Sequence, residues 1–133
     1  YYEENNLIEA KRYYDIFAKS DIVTLHVPLD NETKHMVNEK TLKMMKKGAF
    51  LINISRGAVV DTKSLKKALK ENWIKGAAVD VLESEPYIDE EFLQLPNLVV
   101  TPHIGGNSIE SVLAMGRAAI KHLTDHFYGG TEN

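Results

Sequence analysis

The chain has 133 residues, a net charge of -3 and an apolar content of 44%, which fits one globular domain of ordinary composition. A pI near 6.0 gives no electrostatic attraction to nucleic acid, and no apolar stretch approaches the roughly 20 residues that cross a bilayer. The absence of cysteine excludes disulfides, thiol catalysis and cysteine zinc sites. We therefore expect neither nucleic acid nor a membrane as a partner.

Short apolar runs at fairly even spacing predict four strands, over Asp21–Val27, Ala49–Ile54, Ala77–Val81 and Leu98–Thr101. A helical pattern between the first two has Asn38 as its N-cap, turns Leu42 and Met45 inward and ends at Gly48. The remaining positions of this helix predict a solvated face rather than a phosphate site. They carry Lys40, Lys43, Lys46 and Lys47.

A second helix is predicted over residues 62–72, capped by Asp61, with Leu65, Ala68 and Leu69 on one face. The acidic link over residues 83–96 is predicted to be a loop with at most one helical turn. A long amphipathic helix then starts at Ser108. Its apolar stripe consists of Ile109, Val112, Leu113, Ile120, Leu123 and Phe127.

His122 and His126 lie one turn apart on this last helix, a spacing that suits a metal ion. Because no third ligand is near them in sequence, a packed or solvated face is favoured, and no metal is expected.

Repeated strand–helix–strand units predict an α/β fold with a parallel, doubly wound sheet and right-handed connections. Ligands bind such sheets beyond the carboxyl ends of the strands. Those ends carry "HVP", "SRG", an aspartate and "PHIGG". Polar residues therefore collect along one edge, where an anion, an acid–base group and a cofactor can meet.

Arg56 follows a strand whose "AFLI" run is typical of burial on both faces. A cation at the mouth of such a strand is costly unless an anion meets it, and a planar guanidinium suits a carboxylate. Gly57 lets the backbone bend where a ligand approaches. Two interpretations stay open from the residues alone: a surface arginine in a turn, or a clamp on an acidic substrate.

His103 is the candidate acid–base group among five histidines, since it lies between a proline and the loop "IGG". His26 is expected within a strand, packed or capped by a backbone carbonyl, and His35 is expected to hydrogen-bond locally.

Most carboxylates of the acidic link are expected to be simply exposed. Glu85 differs because Pro86 restricts it to an extended backbone, and a carboxylate beside a histidine would orient the ring and favour its protonated state. Asp80, expected inside an apolar strand, needs a partner if it is buried.

Four blocks in this order, "SDIVTLHVPLDNETKHMVN", "KGAFLINISRGAVVD", "GAAVDVLESEP" and "NLVVTPHIGG", resemble the D-isomer-specific 2-hydroxyacid dehydrogenases. They run from about Ser20 to Asn107, and the terminal helix resembles the return helix of that family. The resemblance implies a Rossmann-like domain that binds NAD, with NADP not excluded, and the interconversion of a D-2-hydroxy acid and its 2-oxo acid. It also implies a cytoplasmic enzyme that forms a homodimer.

The resemblance further implies roles for single residues. Arg56 matches the arginine that binds the carboxylate and carbonyl of the substrate, Glu85 the glutamate before proline in "DVxExEP", and His103 the histidine that moves the proton while the nicotinamide carries the hydride. Asp80 matches the aspartate that holds the nicotinamide carboxamide. The positions that match cofactor contacts are Val27, Pro28, Thr33, Ile54, Ser55, Arg56, Asp80, His103, Gly105 and Gly106.

The sequence departs from the family at its start. The G-x-G-x-x-G fingerprint and the acidic residue that binds the ribose are missing, no glycine precedes Gly48, and "YYEENN" resembles the segment after the second Rossmann strand. We therefore expect residues 1–133 to be the C-terminal portion of the dinucleotide-binding domain, without the substrate domain.

Two further expectations concern function. The run "HIGG" is more similar to phosphoglycerate, glycerate and 2-ketoacid members of the family than to D-lactate dehydrogenases. An alternative from another class is a corepressor-like module of the same fold that binds the cofactor without physiological turnover.

Overall fold

The computed structural model describes residues 8–86 and 89–129, which divide after Pro102 into two compact units. The first unit contains one sheet of four parallel strands in the order β1-β2-β3-β4. The strands are β1 (Ile22–Leu25), β2 (Phe50–Asn53), β3 (Gly76–Val79) and β4 (Leu98–Val100). Its helices are α1 (Tyr13–Lys19), α2 (Glu39–Met44), α3 (Thr62–Lys70) and α4 (Glu90–Leu93), with a 3-10 turn over Gly57–Val59. This architecture confirms the predicted Rossmann-like α/β fold.

The hydrophobic core of this unit lies on one face of the sheet. In register, Val23 of β1 pairs with Leu51 of β2, which pairs with Ala77 of β3, and all three are buried. Large apolar side chains from the helices join them in one cluster, among them Phe17, Leu42, Leu65 and Phe92. Burial of this apolar area is the main term that holds the sheet to its helices.

The opposite face of the sheet carries exposed apolar side chains. Ile22 is 60% exposed, Phe50 40% and Val99 61%. The expectation that the strand "AFLI" is buried on both faces is therefore wrong for the part of the chain that the structure describes. The alternation is that of a half-buried strand, because β2 packs its Leu51 side against the helices and turns Phe50 away from them.

The start of α2 is as predicted, and its end is not. The side chain of Asn38 accepts hydrogen bonds from the N–H groups of Lys40 and Thr41, and the Thr41 hydroxyl accepts one from the Asn38 N–H at 2.8 Å. The helix ends with Met45 as its C-cap rather than at Gly48. Met45 is only 6% exposed and adopts an extended backbone, so the chain leaves the helix as this side chain enters the core.

Helix α3 also begins where the sequence predicts, with Asp61 accepting from the N–H groups of Lys63 and Ser64. It ends two residues early, at Lys70, because Asn72 takes a left-handed backbone (φ 54°) that a helix does not tolerate. Within the acidic link, α4 is the single helical turn that was expected, capped by the side chain of Asp89. Helix α1 was not predicted, and Phe17 is its one buried residue.

The second unit, from His103 onward, contains α5 (Ile109–Tyr128). Ser108 is its N-cap, as predicted, and accepts from the Ser111 N–H at 3.1 Å. No residue of this helix is buried, and its apolar stripe is exposed, with Ile109 at 76% and Phe127 at 70%. Among the described residues, no helix is long and apolar enough to cross a membrane.

The cap at Asp61 generates a test of stability. Burial raises the pKa of Asp61, but hydrogen bonds from Ser64 and Lys63 outweigh burial and leave the pKa below its ordinary value. Asp61→Ala should lower the free energy of unfolding by about 1 kcal/mol at neutral pH. A carboxylate with a depressed folded-state pKa stabilises the fold above its unfolded pKa of about 3.9, and the contribution is lost as the pH falls through the folded value. The difference should therefore shrink in acid.

Urea unfolding of the 133-residue chain at pH 7 and near pH 3 measures this difference. Glu32→Ala, which removes an exposed carboxylate from a turn, is the matched control and should change stability little at either pH. An equal effect of both substitutions would contradict the cap.

Candidate functional site

The carboxyl ends of the strands are aligned. Leu25 pairs with Asn53 and Asn53 with Val79, and Val79 also pairs with Val100. The residues that follow these positions therefore emerge side by side at one edge of the sheet, as the sequence predicted for its candidate site.

Asn53 organises the turn that carries Arg56. Its side chain is buried; Oδ1 accepts from the N–H and the hydroxyl of Ser55 at 3.1 and 2.9 Å, and Nδ2 donates to the Arg56 carbonyl at 3.0 Å. Arg56 is exposed, and its Nη1 donates to the Ser55 carbonyl at 2.7 Å. The backbone of this turn is thus fixed while the guanidinium stays at the surface. Sequence reasoning missed Asn53, although an amide in the apolar run "FLIN" was a signal.

Gly57 is required for a different reason from the one predicted. A Cβ at this position would lie 1.9 Å from the carbonyl oxygen of Leu82 and 2.6 Å from the nitrogen of Glu83. The close approach is therefore between two stretches of backbone rather than between backbone and ligand. It joins the turn of Arg56 directly to the loop that follows β3.

Asp80 lies just after β3, not inside it, and is buried. The Thr101 hydroxyl donates to its Oδ1, and its own N–H donates to the Asn53 carbonyl at 2.9 Å. A buried carboxylate at this edge is an acceptor of the kind that a carboxamide N–H needs, so the residue fits the nicotinamide end of a dinucleotide.

Glu85 is exposed, and its Oε1 accepts from the Leu82 N–H at 3.0 Å, so the carboxylate folds back onto its own loop. Glu83 is exposed, as expected for most carboxylates of this link, but it is also hydrogen-bonded through both oxygens. One oxygen accepts from the Thr62 N–H at 2.8 Å, and the other lies 2.7 Å from Nε2 of His35. His35 does hydrogen-bond locally through its carbonyl, which accepts from the Asn38 side chain, but the partner of its ring is distant in sequence.

Two other groups also differ from expectation. His26 follows β1 instead of lying within it, and its exposed ring hydrogen-bonds with the Thr24 hydroxyl at 3.0 Å. In the acidic link, Asp89 pairs with Lys66 at 2.7 Å, and Glu91 also pairs with Lys66. These carboxylates tie α4 to α3.

The loop after β1 is held by one carboxylate. Asp30 Oδ1 accepts from the N–H groups of Glu32 and Thr33, and these bonds lower the pKa of Asp30, that from Thr33 most. The Thr33 hydroxyl donates to the Pro28 carbonyl at 2.7 Å. Val27 and Pro28, predicted to contact a cofactor, therefore lie on an ordered loop at the carboxyl edge.

His103 opens the second unit and has a left-handed backbone (φ 54°). Such a conformation is uncommon for a residue with a side chain and is often found at functional sites. The Asn107 N–H closes the following turn, which includes Gly105 and Gly106, on the Ile104 carbonyl at 2.9 Å. Within the described residues, no group of three or more potential metal ligands occurs in either unit.

The chain is similar to one known protein family over most of its length. The sequence model described as the D-isomer specific 2-hydroxyacid dehydrogenase, NAD binding domain, matches residues 2–105. The chain belongs to this family of dehydrogenases, and its matched residues are part of the NAD-binding domain. The predicted family and the prediction of NAD as the cofactor are thereby confirmed.

Individual relatives show how much of the protein is represented. Over 115 residues the chain is 53% identical to a glyoxylate reductase of Pyrococcus horikoshii. The matched region covers 86% of this chain and 34% of that protein. It thus spans about a third of the length of this curated relative.

Solved structures of dehydrogenases are similar to the fold of this chain. The D-isomer specific 2-hydroxyacid dehydrogenase of Lactobacillus delbrueckii ssp. bulgaricus, in its NAD complexed form, is 34% identical with a TM-score of 0.78 over 92% of this chain and 42% of that one. The apo D-mandelate dehydrogenase of Rhodotorula graminis is 27% identical, with a TM-score of 0.89 over 97% of this chain and 38% of that one.

The contact at Gly57 can be tested by adding one methyl group. Gly57→Ala should lower the free energy of unfolding by about 1–3 kcal/mol, because the Cβ must push apart two backbone segments that have no side chain to rotate away. Gly48→Ala is the matched control, since a Cβ there meets nothing within 4 Å, and it should stay within about 1 kcal/mol. Equal unfolding midpoints for the two variants in urea would show that the contact carries no weight.

Proposed function

We propose that this chain supplies the nicotinamide end and the catalytic edge of an NAD-dependent dehydrogenase that interconverts a D-2-hydroxy acid and its 2-oxo acid. The observation that carries the proposal is the backbone contact of Gly57 with Leu82 and Glu83, which fixes the turn of Arg56 against the loop of Glu85. A cation suited to a carboxylate and a carboxylate suited to an acid–base partner are thus held on neighbouring segments in a chain of this family.

Each residue then has a stated task in the reductive direction. Arg56 binds the carboxylate of the 2-oxo acid through paired hydrogen bonds. His103 donates a proton to the carbonyl oxygen as that oxygen gains charge, and an ionised Glu85 stabilises the imidazolium before the transfer. When bound, the reduced nicotinamide would supply the hydride that the carbonyl carbon accepts, while these residues bind the acid and deliver the proton. The product is the 2-hydroxy acid, whose new O–H bond contains the proton from His103 and whose new C–H bond contains the hydride.

The cofactor contacts are part of the same proposal. Asp80 would accept a hydrogen bond from the nicotinamide carboxamide. The other residues that would hold the cofactor are Val27, Pro28, Thr33, Ile54 and Ser55 on the loops after β1 and β2, and Gly105 and Gly106 after His103.

We infer the wider organisation from the family, and from the observation that the chain spans about a third of the length of its curated relative. Residues 1–133 act as the C-terminal portion of the dinucleotide-binding domain, and the glycine-rich pyrophosphate loop and the substrate domain lie outside them. The complete enzyme is a cytoplasmic homodimer.

A chimera tests the activity. The 115 matched residues of this chain replace the corresponding segment of the P. horikoshii glyoxylate reductase, with that parent enzyme as the reference. We expect the chimera to reduce glyoxylate. The reaction is measured as the decrease in the concentration of reduced nicotinamide. Tight cofactor binding by a folded chimera without turnover of any 2-oxo acid would favour the corepressor-like alternative.

Arg56→Lys in this chimera should lower kcat/KM for glyoxylate by about a hundredfold, because the charge is kept and the paired hydrogen bonds are lost. Lys63→Arg, a similarly conservative exchange at an exposed position of α3, is a matched control that should leave kcat/KM unchanged. An Arg56→Lys chimera with the kinetic constants of the unsubstituted chimera would remove Arg56 from the site.

Glu85→Gln keeps the shape of the side chain and removes its charge. If its negative charge supports proton transfer by His103, kcat for glyoxylate should fall by about tenfold, the order of one lost close charge interaction, with a smaller change in KM. Glu90→Gln, which removes an exposed charge from α4, is the matched control and should leave kcat unchanged. An unchanged kcat in the Glu85→Gln chimera would show that the charge of Glu85 does not assist the reaction.

A further inference from the structure

Glu83 connects three segments of the first unit that are distant in sequence. It lies on the loop after β3, accepts from the N–H of Thr62 at the start of α3, and hydrogen-bonds with His35 on the loop before α2. The His35 partner is 48 residues away along the chain. Both carboxylate oxygens are therefore in use, each toward a different segment.

The ring of His35 is aimed by a constrained backbone. The residue has a left-handed conformation (φ 52°), which is unfavourable for a residue with a Cβ. Two hydrogen bonds hold it there: its N–H donates to the Ala58 carbonyl at 2.8 Å, and the Asn38 side chain donates to its carbonyl at 2.9 Å. The side chain therefore has a fixed origin from which to reach Glu83.

The electrostatics of the pair favour an ionised carboxylate. Burial raises the pKa of Glu83, but hydrogen bonds from Thr62 and His35 outweigh burial and leave the pKa below its ordinary value. The N–H end of α3 adds a favourable dipole. An electrostatic interaction with the same histidine also helps to lower the pKa of Asp61, after the hydrogen bonds from Ser64 and Lys63.

The loop that Glu83 anchors is the one that carries Glu85. Leu82 touches Gly57 through its carbonyl and donates its N–H to the Glu85 carboxylate. Anchoring at Glu83 therefore fixes the residues on each side of it: Leu82 against the turn of Arg56, and Glu85 in its orientation.

We propose that Glu83, held by His35, is a positioning residue that sets the Glu85 loop against the Arg56 turn. The inference rests on the proposed function, because only a reaction at this edge gives the geometry of Glu85 a consequence. Glu83 acts on the reaction indirectly, through the position of Glu85. A shift of this loop by a fraction of an ångström would change the geometry between Glu85 and its acid–base partner.

The test uses the chimera described above, with four single variants and one double variant. Glu83→Ala removes both hydrogen bonds. Glu83→Gln can keep both, since its carbonyl accepts from Thr62 and its amide donates to the other tautomer of His35. His35→Ala removes the partner, and the double variant of His35→Ala with Glu83→Ala measures coupling. Glu90→Ala, which removes an exposed carboxylate from α4, is the matched control.

The expected result for Glu83→Ala is a fall in kcat of tenfold or more, with a smaller change in KM, and faster hydrogen exchange in the peptide over residues 80–86. The Leu82 N–H lies in that peptide, and the substitution leaves both atoms of its bond to Glu85 in place. Glu83→Gln should recover most of kcat. His35→Ala should act in the same direction as Glu83→Ala, and the double variant should be no worse than the worse single one.

Several results would overturn the inference. They are an unchanged kcat in folded Glu83→Ala, unchanged exchange over residues 80–86, or an equal loss in Glu90→Ala. If thermal unfolding shows that Glu83→Ala does not fold, Glu83→Gln and His35→Ala decide the outcome. If the unsubstituted chimera does not turn over glyoxylate, the proposed function fails, and the exchange measurement alone decides whether Glu83 fixes the loop.

Discussion

The backbone of Gly57 lies directly against the backbone of Leu82 and Glu83, with no side chain between them. This contact sets the separation of the two loops on which the candidate chemistry lies. It is possible only because β2 and β3 are parallel neighbours whose ends are in register, so that both loops leave the sheet at one level. A side chain at position 57 would separate them, and the guanidinium of Arg56 and the carboxylate of Glu85 would lose their common frame.

Polar groups close to this contact are buried and satisfied. Burying an amide or a carboxylate without partners costs several kcal/mol, so such residues persist only where their hydrogen bonds are complete. Asn53 uses its amide on the turn of Arg56, and Asp80 accepts from Thr101. Among the described residues, no buried side-chain nitrogen or oxygen lacks a partner. The polar edge therefore adds rigidity to the end of the sheet without weakening the core beneath it.

The sequence predicted best the features that depend on local chemistry. Asn38, Asp61 and Ser108 cap their helices because a short polar side chain bonds to an N–H two or three residues ahead, and that geometry is readable from a few letters. Helix ends were predicted less well, since the entry of Met45 into the core ends α2 before Gly48.

Contacts between segments that are distant along the chain could not be predicted from the sequence. No pattern near His35 predicts a hydrogen-bond partner 48 residues away, and no pattern near Gly57 predicts its contact with the Leu82 carbonyl. The family motifs supplied Arg56, Glu85 and His103 as candidates without their geometry. The residues that hold the first two in place, Asn53 and Glu83, became visible only in the fold.

The two layers of this edge have different physical requirements. A group that binds a substrate or moves a proton must remain accessible, and Arg56 and Glu85 are exposed. Their own hydrogen bonds are local, since Arg56 donates to the Ser55 carbonyl and Glu85 accepts from the Leu82 N–H, so neither side chain ties its turn to a distant segment. Their order must come from the backbone that carries them, and that backbone is fixed by Asn53, which is buried, and by Glu83, whose two oxygens are both bonded to other segments. Accessibility and rigidity are thus supplied by different residues, and the second set is where a substitution distant from any ligand would still be felt by the reaction.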